Sequence, residues 1–129
     1  MTNPNPNFMI LYVDSAAASA AFYQKLLDRA PAEASPNFVL FALESGLMLG
    51  LWTRRGVAPA ATTPGGGGEL AFTVPDAAAV RAVCAEWRRR GADILQEPVR
   101  MDFGDTFVAI DPDGHRLRVF APAEAGAAA

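Results

Sequence analysis

Two stretches of this chain repeat their apolar residues at the helical period, and each sits among runs of strand length. In residues 15–27, Ala16, Ser19, Ala20, Tyr23, Leu26 and Leu27 fall on one side of a helix. In the second stretch Val80, Val83, Cys84 and Trp87 recur at i, i+3, i+4 and i+7. Short acceptor side chains stand where first-turn amides need partners, Asp14 or Ser15 before the first helix and Asp76 before the second. Arg88, Arg89 and Arg90, followed by Gly91, give the second helix a positive last turn and a stop.

Around these helices the apolar and β-branched runs predict strands ending near Val13, at about 32–35, 38–43 and 47–52, then ending near Val74, and at about 94–101, 106–110 and 116–120. The order βαβββ thus occurs twice. The last strands of the two halves superpose, Leu49-Gly50-Leu51-Trp52 on Leu117-Arg118-Val119-Phe120, which sets Gly50 opposite Arg118 and Trp52 opposite Phe120. Residues 56–68, with Pro59, Pro64 and four successive glycines, predict a flexible linker. The expected organisation is one domain over 1–129: module one at about 8–55, the linker, module two at about 69–121, and a disordered tail at 122–129. The fold class is α+β.

The second module closes on DPDGHRLRVF, residues 111–120. Asp111, Pro112, Asp113 and Gly114 supply side-chain acceptors, a preset φ and a residue tolerant of positive φ, so they predict a tight turn. In the following strand Arg116, Arg118 and Phe120 alternate with His115, Leu117 and Val119. By pattern alone, Arg118 fits a solvent-facing edge position as well as an inward one.

Charge and composition remove several classes of function. A formal net charge of −3 and a pI near 5.0 give no broad basic footprint for nucleic acid or anionic membrane. With 51% hydrophobic residues in 129, the chain can bury a core, yet no apolar run approaches the ~18 residues that span a bilayer. The lone Cys84 rules out an intramolecular disulfide, and nothing near Met1 has the pattern of an export signal, so the expected location is the cytoplasm. His115 is the only imidazole and Cys84 belongs to a helix face, which leaves no nucleophile–histidine pair. The glycines at 65–68 lack a Lys-Ser or Lys-Thr ending and precede a strand, unlike a phosphate-binding loop.

Paired βαβββ modules, the FYxxLL run at 22–27 and the closing DPDGHRLRVF together resemble the vicinal oxygen chelate superfamily, which includes glyoxalase I, extradiol dioxygenases and bleomycin-resistance proteins. The likeness covers about residues 8–121 and implies two modules forming a cupped mixed sheet. Within the superfamily, NFMILYVDS, LGLWTRR and DFGDTFVAIDPDGHRLRV look most similar to phenazine-antibiotic resistance proteins, which bind a planar aromatic drug without a metal. Metal-using members carry one ligand on the first and last strand of each module, and the matching positions here are Phe8, Gly50, Glu69 and Arg118. Only Glu69 can donate to a divalent ion, and Arg118 brings a fixed positive charge. No metal or other cofactor is therefore expected, nor any catalytic residue. His115 points away from Arg118's face by parity and is expected to be structural.

If those four positions face inward, Ile10, Tyr12, Met48, Trp52, Ala71, Thr73 and Phe120 share their side. Leu11, Val13, Leu47, Leu49, Leu51, Leu70, Phe72, Leu117 and Val119 then back the helices. The candidate ligand-binding residues are Trp52, Arg118, Glu69, Tyr12, Phe8, Gly50 and Phe120: aromatic rings to stack, Gly50 to leave room for a flat ligand, and Arg118 to hold a carboxylate. Glu69 is expected to pair with Arg118 when no ligand is bound. The expected function is capture of a planar aromatic antibiotic by a homodimer. The alternatives are a metal-free isomerase or lyase, with Glu69 as base and Arg118 stabilising an oxyanion, and, behind it, a metal-dependent glyoxalase- or dioxygenase-type enzyme.

Overall fold

A computed structural model describes residues 4–123. The chain divides into two compact units between residues 63 and 64. The first contains β1 (Phe8–Val13), α1 (Ala16–Leu27), β2 (Glu33–Ser35), β3 (Phe38–Ala42) and β4 (Met48–Thr53), followed by a single 3-10 turn at Arg54–Gly56. The second contains β5 (Glu69–Thr73), α2 (Ala77–Arg89), β6 (Asp93–Met101), β7 (Gly104–Ile110) and β8 (Arg116–Pro122). Each unit is α+β in the order βαβββ and forms its own four-stranded mixed sheet, β1-β4-β3-β2 and β5-β8-β7-β6. The first strand lies parallel to the last, and the hairpins are antiparallel.

The two registers coincide residue for residue. Phe8, Ile10 and Tyr12 stand beside Met48, Gly50 and Trp52, just as Glu69, Ala71 and Thr73 stand beside Arg116, Arg118 and Phe120. The superposition drawn from sequence therefore holds in the pairing itself. It extends to the third strand, where Phe38 opposes Trp52 and Thr106 opposes Phe120.

Both helices begin where their caps predict. Ser15 Oγ accepts from Ala18 N, and the buried Thr53 Oγ1 accepts from Ala16 N, so β4 helps to cap α1. Asp76 Oδ1 accepts from Ala79 N at 2.8 Å, and α2 stops before Gly91 at φ 94°. The core of the first unit joins Tyr23, Leu26 and Ala20 of α1 to Leu11, Val13, Val39, Phe41, Leu49 and Leu51. In the second unit Trp87 stands nearly perpendicular to Phe72 and Phe107, with centroids 5.1 and 5.5 Å away. Fully burying such side chains contributes roughly 1.5–3 kcal/mol each. Leu47, expected within the last strand of the first module, lies one residue outside β4, where its carbonyl accepts from Leu43 N.

The expected tail over 122–129 falls largely outside the described residues, but Pro122 belongs to β8 and Ala123 N donates to Phe103 O, so those two are ordered. Within the predicted linker, Arg54 Nη1 donates to Thr63 O, and Gly65 packs against the 111–115 turn so closely that a Cβ there would lie 2.9 Å from the His115 ring.

Candidate functional site

In each unit period-two alternation turns one sheet face to the helix and leaves the other open. On the open face of the first unit Phe8, Ile10 and Tyr12 are 46, 42 and 37% exposed, while Leu11 and Val13 between them are buried. Trp52 lies between Tyr12 and Phe38, its ring nearly perpendicular to both at centroid distances of 6.2 and 6.4 Å. The room expected over Gly50 is filled by the chain itself. A Cβ at Gly50 would lie 2.7 Å from Phe38 Cζ, so the missing side chain admits the Phe38 ring rather than a gap for a ligand.

The open face of the second unit is organised around Arg118. Its Nε and Nη2 donate to the two oxygens of Glu69 at 2.8 and 2.9 Å, a two-pronged ion pair that is only partly exposed. Nη1 donates to Thr106 Oγ1 at 3.1 Å, and that fully buried hydroxyl donates in turn to Val119 O. The guanidinium also lies 5.7 Å from the centroid of the Phe103 ring, which stands edge-on to Phe120. Hydrogen bonding from Arg118 holds the Glu69 carboxyl below its ordinary range against the opposing effect of burial, with the charges of Arg118 and Arg116 adding to the lowering. A carboxylate with both oxygens bound and its basicity lowered is a weak general base, which weakens the isomerase or lyase alternative.

The structure adds four neighbours to the candidate residues: Phe38, Thr106, Phe103 and Arg116. Phe38 and Thr106 lie on third strands, whose register against β4 and β8 no spacing rule supplies. Phe103 lies in the turn between β6 and β7. It is brought to Arg118 because Gly104, at φ 138°, approaches the Ala121 carbonyl more closely than any Cβ allows. Arg116 shares Arg118's parity, so two residues' separation along one strand was signal enough to include it.

His115 is held in the turn. Its N–H and that of Asp113 donate to Oδ1 of the buried Asp111, each at 2.9 Å. Of the four positions that carry ligands in metal-using relatives of this fold, Phe8 and Gly50 offer no donor, Glu69 is engaged by Arg118, and Arg118 is a cation. That set does not fit a divalent ion. Among the described residues no three His, Cys, Asp or Glu side chains gather.

Duplicated βαβββ units with a helix behind each sheet and a mixed aromatic and charged face in front define the class of paired-module α+β proteins. The chain belongs to the glyoxalase/bleomycin resistance protein/dioxygenase superfamily, whose family model matches residues 6–119. It is 29% identical over 117 residues to the phenazine antibiotic resistance protein EhpR of Enterobacter agglomerans, which covers 88% of this chain and 89% of that one. The solution structure of protein ATC0852 from Agrobacterium tumefaciens is 52% identical, covers 95% of this chain and 100% of its own, and superposes with a TM-score of 0.86. A glyoxalase/bleomycin resistance protein/dioxygenase from Nocardioides shares the fold at 22% identity and a TM-score of 0.83, over 98% of this chain and 89% of its own.

Proposed function

We propose that the protein binds a planar aromatic small molecule, of the phenazine class, on the open sheet faces and without a metal, as a resistance protein that captures its antibiotic. The observation that carries this reading is the composition of those faces. The first unit's face exposes or half-exposes the rings of Phe8, Tyr12 and Trp52, and the second unit's face sets the half-exposed Phe120 beside an orienting ion pair, Arg118 with Glu69; rings that stack and a polar group that orients are what a flat ligand requires. The similarity to a phenazine antibiotic resistance protein supports the choice of ligand class. The same reading takes the protein as a cytoplasmic homodimer, which sedimentation equilibrium tests. No helix among the described residues is long and apolar enough to cross a membrane.

The test uses the protein's own fluorescence. Trp87 is 6% exposed in the core, so a ligand on the open face of the first unit quenches Trp52 selectively. Titration with phenazine should give saturable quenching that Trp52→Phe removes, and the compound should be recovered chemically unchanged at one equivalent per binding site. Turnover beyond one equivalent, or quenching that persists in Trp52→Phe, refutes the reading.

A further inference from the structure

Two guanidiniums project from one face of β8, and the structure treats them differently. Arg118 is fully engaged by Glu69, Thr106 and the Phe103 ring. Arg116, two residues earlier and beside Glu69 in the sheet register, is exposed and makes no hydrogen bond or ion pair with any described residue. One carboxylate therefore serves two cations, and the face keeps a net positive charge at Arg116.

That charge borders a cleft. Leu95, Gln96, Val108, Arg116 and Arg118 line a space of about 270 Å³ on the second unit. Val108 and the half-exposed Leu95 give it apolar walls. Gln96 adds unused hydrogen-bonding capacity, because its Oε1 is buried without a partner among the described residues. Native structures rarely leave such a group unmet, and the amide turned end for end presents an N–H there to a ligand oxygen. A cation without a hydrogen-bond partner among the described residues, apolar walls and an unmet side-chain amide together describe a subsite for a polar, negatively charged substituent on an otherwise apolar ligand.

The geometry points to Arg116, rather than Arg118, as the residue that selects a carboxylate-bearing ligand, with the anion seated in the cleft between β6 and β8. For Arg118 to take a ligand carboxylate it must release Glu69, leaving that partly buried acid unpaired, and such an exchange gains little. Arg116 has no hydrogen bond to a described residue to give up, since it acts on Glu69 through charge alone. It presents a planar fork suited to both oxygens of a carboxylate. The β8 rise of ~3.3 Å per residue separates Arg116 from Phe120 by about 13 Å, with Arg118 between them. The acid is thus read at the end of the strand opposite the Phe103–Phe120 ring pair.

This inference rests on the small-molecule reading above, and calorimetry with a matched pair of probes separates the two. The pair is phenazine-1-carboxylic acid, ionised at pH 7, and the neutral phenazine-1-carboxamide. The wild type should bind the acid about tenfold more tightly than the amide, the size expected of one charge-assisted contact. Arg116→Gln should bring the acid to within about twofold of the amide while leaving the amide's affinity unchanged, and Arg116→Lys should keep much of the preference. Arg116 is exposed, so these variants leave the core intact. Retention of the tenfold preference in Arg116→Gln overturns the assignment, as does a wild type that binds acid and amide equally. Failure of the wild type to bind either compound refutes the phenazine reading and this one with it.

Discussion

Gly50 and Phe38 offer the sharpest test of how the first unit's open face is built. Replacing Gly50 by alanine places a methyl carbon 2.7 Å from Phe38 Cζ, 3.0 Å from Cε1 and 3.5 Å from Ile10 Cγ1. The first contact is shorter than real Cβ atoms show and the second is tight, so the Phe38 ring must shift by several tenths of an ångström. Overpacking costs ~1–3 kcal/mol, and because the obstacle is the far end of a half-buried side chain rather than backbone, this case falls at the lower end. Against it, alanine restricts the unfolded chain more than glycine and returns ~0.4–1 kcal/mol. The net expectation is a loss of roughly 0.5–1 kcal/mol in otherwise wild-type protein. In a Phe38→Ala background the obstacle is gone and the entropic gain remains, so the same Gly50→Ala change should become neutral or stabilising. Urea unfolding of the four proteins, with a common m-value, reads the coupling directly as a shift in midpoint, expected at ~1 kcal/mol. Additivity within ~0.3 kcal/mol refutes the close packing of Phe38 on Gly50.

Other expectations follow from the second unit and its helix. Thr106→Val preserves shape but removes the hydroxyl that links Arg118 to the Val119 carbonyl, and should cost ~1–2 kcal/mol in urea unfolding; a loss below a few tenths refutes a structural role for that link. Because Glu69's carboxyl is lowered from 4.5 in the folded protein, its stabilising contribution is complete above about pH 4.5 and is lost as the pH falls toward the folded value. The stability gap between wild type and Glu69→Gln, about 1 kcal/mol for a partly exposed pair, should therefore be constant from pH 7 down to about 5 and shrink below 4.5. A gap that grows on acidification contradicts the sign. Burial raises the pKa of the Cys84 thiol, so a thiol reagent at pH 8 should label it only as fast as the protein opens, and immediately in denaturant; rapid labelling of the native protein refutes its burial.

The order of elements and the two faces of each strand were legible because they depend on local periodicity. Leu11 against Tyr12 and Leu117 against Arg118 are sorted by parity alone. The superposition of the last strands, Gly50 on Arg118 and Trp52 on Phe120, came from aligning the two halves, while the parallel register that sets Glu69 beside Arg116 and Phe8 beside Met48 came from the structure. What parity does not supply is the partner across a hairpin. Whether a strand glycine marks room for a ligand or the approach of another side chain depends on which residue the next strand sets beside it, and here that residue's face carries Phe38. Thr106 illustrates the same limit. A threonine in an apolar run is consistent with strand propensity and with a buried hydrogen-bond relay, and only the position of Arg118 decides for the relay.

Equivalent positions in the two units have exchanged size while keeping their register. In the first unit the last strand has no side chain at Gly50 and the third strand supplies the large Phe38 ring; in the second the last strand supplies the long Arg118 and the third strand the small Thr106. Each pairing fills its own sheet face, so replacing one member alone leaves a clash or an unmet donor. Helix-facing positions show no such divergence, since Leu49, Leu51, Leu117 and Val119 must all be apolar to cover a helix. The duplication thus leaves the open faces free to differ, and they have differed in kind. One became a pair of rings, Tyr12 and Phe38, each nearly perpendicular to Trp52, and the other a charged network in which Arg118 is held and Arg116 is not. On the second face Arg116 is therefore the position where a single substitution should change ligand choice without changing the fold.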